Sequence, residues 1–259
     1  MNILITAGGT SEKIDEVRTI TNMATGRLGS LTAEEFLRRE DAAVTYVCSE
    51  NANTPGDKRA QIIRVGDVLE LKSSLEKLMR EQTFDAIIHS MAVSDYTVKY
   101  SAAIDDLAYF LAERLITEEA DRENKELLSS QIHLALSEYA GSRNTPKISS
   151  DIENLFLSLE KTPKIIGLFK KLQPDAVLVG FKLLAGTNEN NLLLAAKKLM
   201  TENQCDFVLA NDKKQISGDR HAGILIGADG QLLRLSTKRE IADAIASSVI
   251  QKIGERETR

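Results

Sequence analysis

Residues 1–29 read MNILITAGGTSEKIDEVRTITNMATGRLG, and this stretch decides the fold. The apolar run at 3–5 leads into the small-residue turn at 8–10, and a second cluster of small and polar residues at 22–26 precedes a helical pattern. Turns of this kind, at one end of a predicted parallel strand, lie where open α/β sheets bind their ligands. The stretch therefore predicts a nucleotide or phosphate site.

Outward from this stretch, strand and helix patterns alternate along most of the chain. The predicted strands span residues 3–6, 43–48, 61–65, 84–91, 176–181, 206–210, 222–226 and 232–235. The predicted helices span residues 28–37, 68–79, 107–115, 121–139, 163–172, 190–202 and 238–253, with Asp67 and Thr237 as N-caps. This order predicts an α/β fold with a Rossmann-like, doubly wound and mostly parallel sheet, followed by a C-terminal hairpin that turns at Asp229-Gly230.

Residues 97–150 interrupt this alternation. Two amphipathic helical patterns are followed by a polar, turn-like run at 141–150, and Lys147 lies near the point where the chain returns to the sheet. We therefore predict a single nucleotide-binding domain over residues 1–259, with 97–150 as an inserted helical and flap segment.

The composition is that of a soluble globular protein, with 27% charged and 42% hydrophobic residues. The net charge of −5 argues against nucleic-acid binding, although residues 101–140 alone carry −6 and the remainder +1. No run approaches the roughly 20 apolar residues that cross a membrane, and Met1 leads directly into a strand rather than a signal peptide. With Cys48 and Cys205 as reduced core thiols, we expect a cytoplasmic protein that binds no membrane.

The turn Gly8-Gly9-Thr10 is a weak signal by itself. Its glycines would let backbone N–H groups approach anionic oxygens, but the chain has neither the G-x-G-x-x-G nor the G-x-x-x-x-G-K-[ST] spacing here. A tight connection between a strand and a helix is the alternative interpretation.

The cluster that begins at Asn22 is a stronger signal. Asn22, Thr25, the backbone of Gly26 and Arg27 supply hydrogen-bond donors around a predicted helix start, where the helix dipole favours anions. A cluster that only caps the helix is the alternative.

Several residues lie at the carboxyl ends of predicted strands or in the turns just beyond them, and a parallel sheet would gather these residues along one edge. They are Gly8, Gly9, Asn22, Asp95, Phe181 and Asn211 with Asp212. Each is weak evidence alone, but their convergence favours a ligand site. The histidines His89, His133 and His221 have no metal-ligand spacing, so we expect no metal held by protein ligands alone.

The chain resembles the phosphopantothenoylcysteine synthetase family, the ligases of coenzyme A biosynthesis. The resemblance covers nearly the whole length and is carried by residues 5–29, MAVSDY at 91–96, PKISS at 146–150, KTPKIIG at 161–167, VGFKL at 179–183 and LAND at 209–212. Fused bacterial members carry a flavin-dependent decarboxylase domain in front. The resemblance therefore implies a stand-alone ligase that uses no flavin.

The resemblance also implies a two-step ligation. A nucleoside triphosphate activates the carboxylate of 4′-phosphopantothenate as an acyl-nucleotidyl anhydride and releases pyrophosphate, and the amine of L-cysteine then attacks. Attack at the α-phosphate builds negative charge, which Mg²⁺ and a lysine would neutralise. CTP is the favoured nucleotide, because stand-alone bacterial members resemble CTP users, and ATP is the alternative. The family is a homodimer with shared sites, and an apolar C-terminal hairpin suits an interface.

Site residues follow from the resemblance position by position. The implied catalytic residues are Asn22, which holds the acyl-nucleotide, and Lys147, which contacts the triphosphate. The implied nucleotide-binding residues are Gly8, Gly9, Ser90, Met91, Asp95 at the ribose, Lys147, Lys164, Ile165, Ile166, Gly167, Phe181 and Lys198, with Lys197 as the alternative to Lys198. The implied phosphopantothenate-binding residues are Arg18, Asn22, Thr25, Gly26 and Ala92.

Two rival functions remain at this point. A short-chain NAD(P)-dependent oxidoreductase would also have a glycine turn after its first strand, but it needs a Tyr-x-x-x-Lys pair on a helix. Tyr96 is followed four residues later by Tyr100, and Tyr139 by Arg143, which argues against it. A non-catalytic nucleotide-sensing module is the second rival, and it would not need Lys147.

Overall fold

The computed structural model describes residues 1–117, 123–139 and 147–257, and only the backbone of residue 257. The strands are β1 (Asn2–Ala7), β2 (Ser11–Lys13), β3 (Thr19–Thr21), β4 (Ala43–Ser49), β5 (Gln61–Val65), β6 (Ala86–His89), β7 (Tyr96–Ala103), β8 (Leu155–Lys161), β9 (Val177–Leu184), β10 (Phe207–Ser217), β11 (Arg220–Gly227) and β12 (Leu232–Thr237). The helices are α1 (Arg27–Leu37), α2 (Val68–Glu81), α3 (Ile104–Thr117), α4 (Lys125–Glu138), α5 (Ile166–Leu172), α6 (Glu189–Asn203) and α7 (Lys238–Glu257).

The main sheet has eight strands in the order β12-β11-β10-β9-β6-β1-β4-β5. Six neighbouring strands of this sheet are parallel, namely β5, β4, β1, β6, β9 and β10. Strands β11 and β12 continue the sheet in antiparallel pairing. Numbered by their order along the chain, those six parallel strands read 3-2-1-4-5-6, which is the order of Rossmann folds. The predicted Rossmann-like, mostly parallel sheet with a C-terminal hairpin is therefore confirmed.

Both faces of this sheet are covered by helices, which explains why its central strands are apolar throughout. One core layer packs α1 and α7 against residues such as Ile3 and Ile5, and the other packs α2, α5 and α6 against residues such as Leu4 and Ile87. Successive residues of β1 thus point into different layers. Because β1 lies between β6 and β4, the strand order reverses beside it, and the turn after β1 lies at the switch point.

The sequence patterns missed four strands and misplaced several ends. The short strands β2 and β3 pair with each other, and β7 pairs with β8 in an antiparallel ribbon. The helix predicted to open at Pro163 begins at Ile166, and the strand predicted to end at Ala210 continues to Ser217. Helix α4 lies within the pattern predicted over 121–139. Residues 121–122 of that pattern and 141–146 of the predicted polar run lie outside the described residues.

The chain divides into two compact units. The first unit comprises residues 1–11, 21–94 and 163–259 and holds the eight-stranded sheet with its helices. The second unit comprises residues 12–20 and 95–162 and holds β7, β8, α3 and α4. Whether the chain works as one ligase domain with a flap at 97–150 stays a prediction.

Among the described residues, no helix has the length and apolar character needed to cross a membrane.

Candidate functional site

The register of the central strands brings three predicted segments of the first unit to one level. Thr6 of β1 pairs with His89 of β6, and His89 pairs with Gly180 of β9. One residue further on, Ser90 and Phe181 therefore lie at the same height, next to the turn that follows β1. The prediction that the strand ends at Phe181 is wrong, because β9 continues to Leu184, but the register still puts Phe181 level with the carboxyl end of β6.

Backbone pairing continues beyond the ends of β1 and β6. Gly9 and Ala92 form an isolated parallel bridge. The N–H of Ala92 donates to the carbonyl of Gly8 at 2.9 Å, and the N–H of Thr10 donates to the carbonyl of Ala92 at 3.1 Å. The hydroxyl of Ser90 donates to the carbonyl of Thr6 at 2.7 Å. The two turns are therefore held to each other mainly through main-chain atoms.

The side chain of Asn22 is fixed against these two turns. Its Nδ2 donates to the carbonyl of Ala92 at 3.2 Å and to the hydroxyl of Ser94 at 3.1 Å. A carbonyl oxygen can only accept, so the nitrogen of the carboxamide must face Ala92. Its Oδ1 has no hydrogen-bond partner among residues 1–117, 123–139 and 147–257. The carboxamide is thus oriented by two bonds and keeps an acceptor for a ligand.

Two residues that sequence reasoning did not select complete this arrangement. The hydroxyl of Thr10 donates to Ser94 Oγ at 2.9 Å, and the N–H of Ser94 donates to Thr10 Oγ1 at 2.9 Å. Thr10 is fully buried. The sequence hinted at them only by placing a hydroxyl residue in the turn at 8–10 and another in the MAVSDY segment at 91–96. We call Gly9, Thr10, Asn22, Ala92 and Ser94 the strand-end network.

Gly9 is required because the chain passes it at short range. A Cβ at this position would lie 2.4 Å from the carbonyl oxygen of Asn22 and 2.9 Å from its Cβ. Any larger residue would push Asn22 away and disturb its hydrogen bond to the carbonyl of Ala92. The glycine predicted as a phosphate turn therefore also makes room for the asparagine.

Helix α1 begins beside this network with an open N-terminus. Gly26 is the N-cap with φ of 70° and has no side chain to cap the helix, and the N–H of Arg27 donates to Thr25 Oγ1 at 3.4 Å. The Nδ2 of Asn53 donates to the carbonyl of Thr25 at 2.8 Å, which fixes the entry of the chain into the helix. Uncapped N–H groups and the helix dipole favour an anion here.

Gly29 lets α1 lie unusually close to the strand ends. A Cβ there would lie 2.6 Å from the Cβ of Ala7 and 2.8 Å from Ser90 Oγ. In dinucleotide-binding folds, a glycine in this place allows close packing of helix and strand. Gly26 and Gly29 were both inside the quoted opening stretch, but only Gly26 was selected as a site residue.

The remaining predicted nucleotide contacts of the first unit lie at the start of α5, on α6 and directly after β6. Lys164 is exposed, Ile165 is buried as the N-cap residue of α5, and Ile166 and Gly167 form the first turn of that helix. Lys198 lies on α6, is 74% exposed and pairs with Glu202 at 3.7 Å. Met91 is buried directly after Ser90. Lys197 is also exposed on α6, so the choice between Lys197 and Lys198 stays open.

Asn211 and Asp212 do not end a strand as predicted, because β10 continues through them. The Nδ2 of Asn211 lies 2.6 Å from His221 Nε2, and both residues are buried. Asp212 accepts from the N–H groups of Gly186 and Lys214, which lowers its carboxyl pKa. Both side chains therefore make local contacts, and whether they contribute to the strand-end site stays a prediction.

The second unit holds the other three predicted site residues. Asp95 is exposed, and its carbonyl accepts from the N–H of Thr162 at 3.1 Å. Lys147 is exposed, whereas Ile148 is 6% exposed. The Nη2 of Arg18 donates to the carbonyl of Ile148 at 2.8 Å. Arg18 thus contacts the segment that bears Lys147, a contact that the sequence did not predict.

Asp15, which sequence reasoning missed, is the buried partner of Arg18. Burial by itself raises a carboxyl pKa, but backbone donors, the N–H of Ile148 first among them, and the Arg18 guanidinium hold the pKa of Asp15 well below its usual range. Asp15 therefore stays ionised at neutral and mildly acidic pH.

The buried titratable groups near the sheet are not poised for acid–base chemistry. Burial lowers the pKa of His89 to about 4, and its Nδ1 lies 2.7 Å from Thr6 Oγ1. Burial also raises the pKa of the Cys205 thiol to about 12 and raises that of Cys48. Among the residues the structure describes, no group of three or more His, Cys, Asp or Glu side chains could hold a metal ion.

Comparison with known proteins gives consistent matches. A profile of the family described as DNA/pantothenate metabolism flavoprotein, C-terminal domain, matches residues 1–104 and 125–253. The coenzyme A biosynthesis bifunctional protein CoaBC of Thermococcus kodakarensis is 32% identical over 244 residues, which cover 94% of this chain and 49% of that protein. The chain therefore spans about half the length of the curated relatives it matches.

Solved structures agree with the fold. The crystal structure of the DNA/pantothenate metabolism flavoprotein from Streptococcus pneumoniae matches with a TM-score of 0.78 and 35% identity, over 97% of this chain and 99% of that one. A Cab2 mutant in complex with phosphopantothenate-cysteine matches with a TM-score of 0.66, covering 98% of this chain and 86% of that one, but at 20% identity it supports the fold alone. From the profile match over most of its length, this chain belongs to the family of DNA/pantothenate metabolism flavoprotein C-terminal domains.

Proposed function

We propose that this chain is a phosphopantothenate–cysteine ligase. A nucleoside triphosphate reacts with the carboxylate of 4′-phosphopantothenate to give an acyl-nucleotidyl anhydride and pyrophosphate. The amine of L-cysteine then attacks the acyl carbon, and 4′-phosphopantothenoylcysteine and the nucleoside monophosphate leave. The names of the CoaBC relatives support a role in coenzyme A biosynthesis, and the resemblance of the sequence motifs supports this substrate class.

The observation that carries the proposal is the oriented carboxamide of Asn22. Two bonds, to Ala92 O and Ser94 Oγ, hold it next to the open N-terminus of α1. An acyl-nucleotide intermediate has a phosphopantothenoyl part beside a phosphate. The free Oδ1 of Asn22 can accept from a hydroxyl or an amide N–H of the first, and the helix N-terminus offers a favourable dipole to the second. In this role Asn22 holds the intermediate, and Thr25, Gly26 and Ala92 contact phosphopantothenate.

The nucleotide would bind along the level shared by β1, β6 and β9. Ser90 and Phe181 are at the same height in the register, and Gly8 and Gly9 form the adjoining turn. In our proposal Phe181, Met91 and the segment 164–167 surround the base and sugar. Lys198 contacts the nucleotide from α6, and Asp95 binds the ribose hydroxyls.

Lys147 would neutralise the negative charge that develops on the triphosphate. Its exposed ammonium group has the mobility and charge for this role. Mg²⁺ enters as the metal–nucleotide substrate, since magnesium in such sites is bound largely by phosphate oxygens and few protein ligands. CTP is the nucleotide we favour, with ATP as the alternative.

The proposed partner is a second copy of this chain. The edge strand β12 exposes Leu232 and Leu233, at 38% and 43% of their surface, which supports an interface on the C-terminal hairpin. Sedimentation measurements on the purified chain test this part separately.

A pyrophosphate-release assay tests the function directly. Purified chain with Mg²⁺, 4′-phosphopantothenate and L-cysteine is given CTP or ATP, and unphosphorylated pantothenate serves as the matched control substrate. We expect release that requires phosphopantothenate, a faster rate with CTP, and one burst per site when cysteine is omitted. Nucleotide binding without any release would instead support a nucleotide-sensing module and refute the ligase.

An oxidoreductase is disfavoured by the placement of its required tyrosine. Tyr96 begins the strand β7 rather than lying on a helix, and its fourth neighbour is Tyr100. Calorimetry that shows binding of neither NADH nor NADPH to the purified chain would exclude this rival.

A further inference from the structure

A tight turn in the second unit builds a buried carboxylate–guanidinium pair. Asp15 Oδ1 accepts from the N–H groups of Val17 at 2.9 Å and Arg18 at 2.7 Å. Asp15 Oδ2 accepts from Arg18 Nε at 3.0 Å and from Nη2 at 2.8 Å. The side chain of Asp15 has no exposed surface, and that of Arg18 is 44% exposed. Two guanidinium nitrogens share Oδ2 while two backbone N–H groups hold Oδ1, so both oxygens of the carboxylate are fixed.

This pair binds both polar backbone groups of Ile148. The N–H of Ile148 donates to Asp15 Oδ2 at 3.1 Å, and its carbonyl accepts from Arg18 Nη2 at 2.8 Å. The two contacts join residues that are 133 and 130 positions apart in the chain. The residue bound in this way is the immediate neighbour of Lys147. We call Asp15, Arg18 and Ile148 the Lys147 anchor.

We propose that Asp15 and Arg18 are positioning residues that fix the backbone at Ile148 and thereby set the point from which Lys147 reaches the triphosphate. This inference rests on the proposed function of Lys147. It differs from the phosphopantothenate contact expected for Arg18, because the anchor acts on the lysine and not on a substrate.

The physical reason lies in the flexibility of lysine. Its ammonium group is at the end of a four-carbon stem, and ordering that stem costs conformational entropy. A backbone that also moved would add to this cost and would displace the charge from the phosphate. Displacement of a catalytic group by about 1 Å can lower a rate by about 10²-fold. A buried, doubly bound Ile148 removes the backbone part of that cost.

Limited proteolysis tests the anchor without any substrate. Trypsin cleaves after exposed lysines, and cleavage of the Lys147–Ile148 bond requires Ile148 to leave its contacts. Asp15→Asn replaces one accepting oxygen by a donor, so we expect this bond to be cut at least about tenfold faster than in the wild type, as expected when local opening becomes easier. Mass spectrometry of the fragments gives the rate at this bond.

Asp57→Asn is the matched control. Asp57 also pairs with a nearby arginine, Arg59, whose side chain is 46% exposed, but this pair lies in the first unit. We expect cleavage after Lys147 to stay at the wild-type rate in this variant. An equal rate in Asp15→Asn and Asp57→Asn would overturn the anchor.

A double-mutant cycle with Lys147→Ala tests the link to catalysis. Asp15→Asn should lower kcat by about 10²-fold with little change in the KM for phosphopantothenate, because the charge is displaced and the substrate is still bound. In a Lys147→Ala background the same change should lower kcat by less than about threefold, since residues that act as a unit are not additive. Losses that multiply in the double mutant would refute a role through Lys147.

Arg18→Gln covers the case in which Asp15→Asn does not fold. It removes the bond to the Ile148 carbonyl and keeps the backbone donors on Asp15. We expect faster cleavage after Lys147 and a smaller loss of kcat than in Asp15→Asn. Arg18→Lys should restore both only in part, because one ammonium group cannot replace the guanidinium bonds to Asp15 and to Ile148. A rise in the KM for phosphopantothenate with unchanged cleavage would instead make Arg18 a direct substrate contact. If the wild type releases no pyrophosphate, the proposed function fails while proteolysis still tests the anchor.

Discussion

The two proposed catalytic residues are held in place by different means. Asn22 is half-buried, and its carboxamide is fixed by two hydrogen bonds within the strand-end network, which is itself tied together by main-chain bonds. Lys147 is exposed, and the fixed contacts next to it are those of the anchor on Ile148. The first arrangement follows from strand register, whereas the second depends on one ion pair.

This difference separates two tasks in the proposed reaction. A group that holds the neutral phosphopantothenoyl part through a hydrogen bond must be rigid, because a hydrogen bond weakens steeply with distance and angle. A cation that neutralises a triphosphate acts over a longer range and can approach after the nucleotide has bound. The strand-end network is suited to the first task and the Lys147 segment to the second.

The largest effect is expected from Lys147→Ala. Loss of the cation should lower kcat for pyrophosphate release by about 10²- to 10³-fold, as for other groups that stabilise developing charge. Lys125→Ala, an exposed lysine at the start of α4 in the same unit, is the control and should keep the wild-type rate. A loss under about threefold would make Lys147 a surface lysine and remove one side of the comparison.

Asn22→Asp should have the next largest effect. A carboxylate cannot donate to the Ala92 carbonyl, so the side chain loses its orientation, and we expect kcat to fall by about 10²-fold. Binding of CTP, measured by calorimetry without phosphopantothenate, should stay within about threefold of the wild type. Equal losses of binding and turnover would place Asn22 at the nucleotide and not at the acyl group.

Acid should weaken the first unit through His89. The unfolded chain takes up a proton as the pH falls below 6.5, whereas burial lowers the folded pKa to about 4. The contribution of His89 to the free energy of unfolding is therefore fully present above pH 6.5. It is lost as the pH falls from 6.5 to 4, by up to about 3 kcal/mol. Urea unfolding at pH 7 and pH 4.5 should show a smaller difference for His89→Gln than for the wild type.

His133→Gln is the control for that measurement, because His133 is exposed on α4. It should leave the difference between the two pH values unchanged. Asp15 stays ionised over this range, so cleavage after Lys147 should not change while the native protein persists. Equal pH dependence in both histidine variants would mean that His89 is not the group responsible.

The smallest effect is expected from the close approach of α1. Gly29→Ala places a methyl group against Ala7 and Ser90, and overpacking of this kind costs about 1–3 kcal/mol. Gly254→Ala in α7 meets no atom within 4 Å and should stabilise the protein by about 0.5–1 kcal/mol. Urea unfolding measures the stability of both variants. A Gly29→Ala variant as stable as the wild type would show that Ala7 and Ser90 can move aside at little cost in free energy.

Much of the first unit could be predicted because its signals are local. The apolar runs of the parallel strands, the N-cap Asp67 and the Asp229-Gly230 turn each specify their own element. The alternating Leu155, Leu157 and Leu159 also indicated a strand, β8, but it lies in a region dominated by helical patterns and was missed. The extension of β10 was missed because its polar outer half resembles a loop.

The anchor could not be predicted, because nothing in the sequence relates Asp15 to Ile148. Their contact depends on where a distant segment returns, and local patterns carry no such information. Thr10 and Ser94 pose the same problem at a separation of 84 residues. Resemblance to a family selected Asn22 and Lys147, whereas only the contacts identified the residues that orient them.

The ribbon of β7 and β8 has a consequence for how the chain folds. Strands β6 and β9 are neighbours in the sheet, with His89 opposite Gly180, yet the whole span 95–162 lies between them. That span is closed at its base, where Tyr96 pairs with Lys161 and Thr162 donates to Asp95. Once the ribbon has formed, the loop that must close to bring β6 to β9 is short, and the entropy of the long excursion no longer opposes the sheet. Changes in chain length between Ala103 and Leu155 should therefore leave the folding rate of the sheet nearly unchanged.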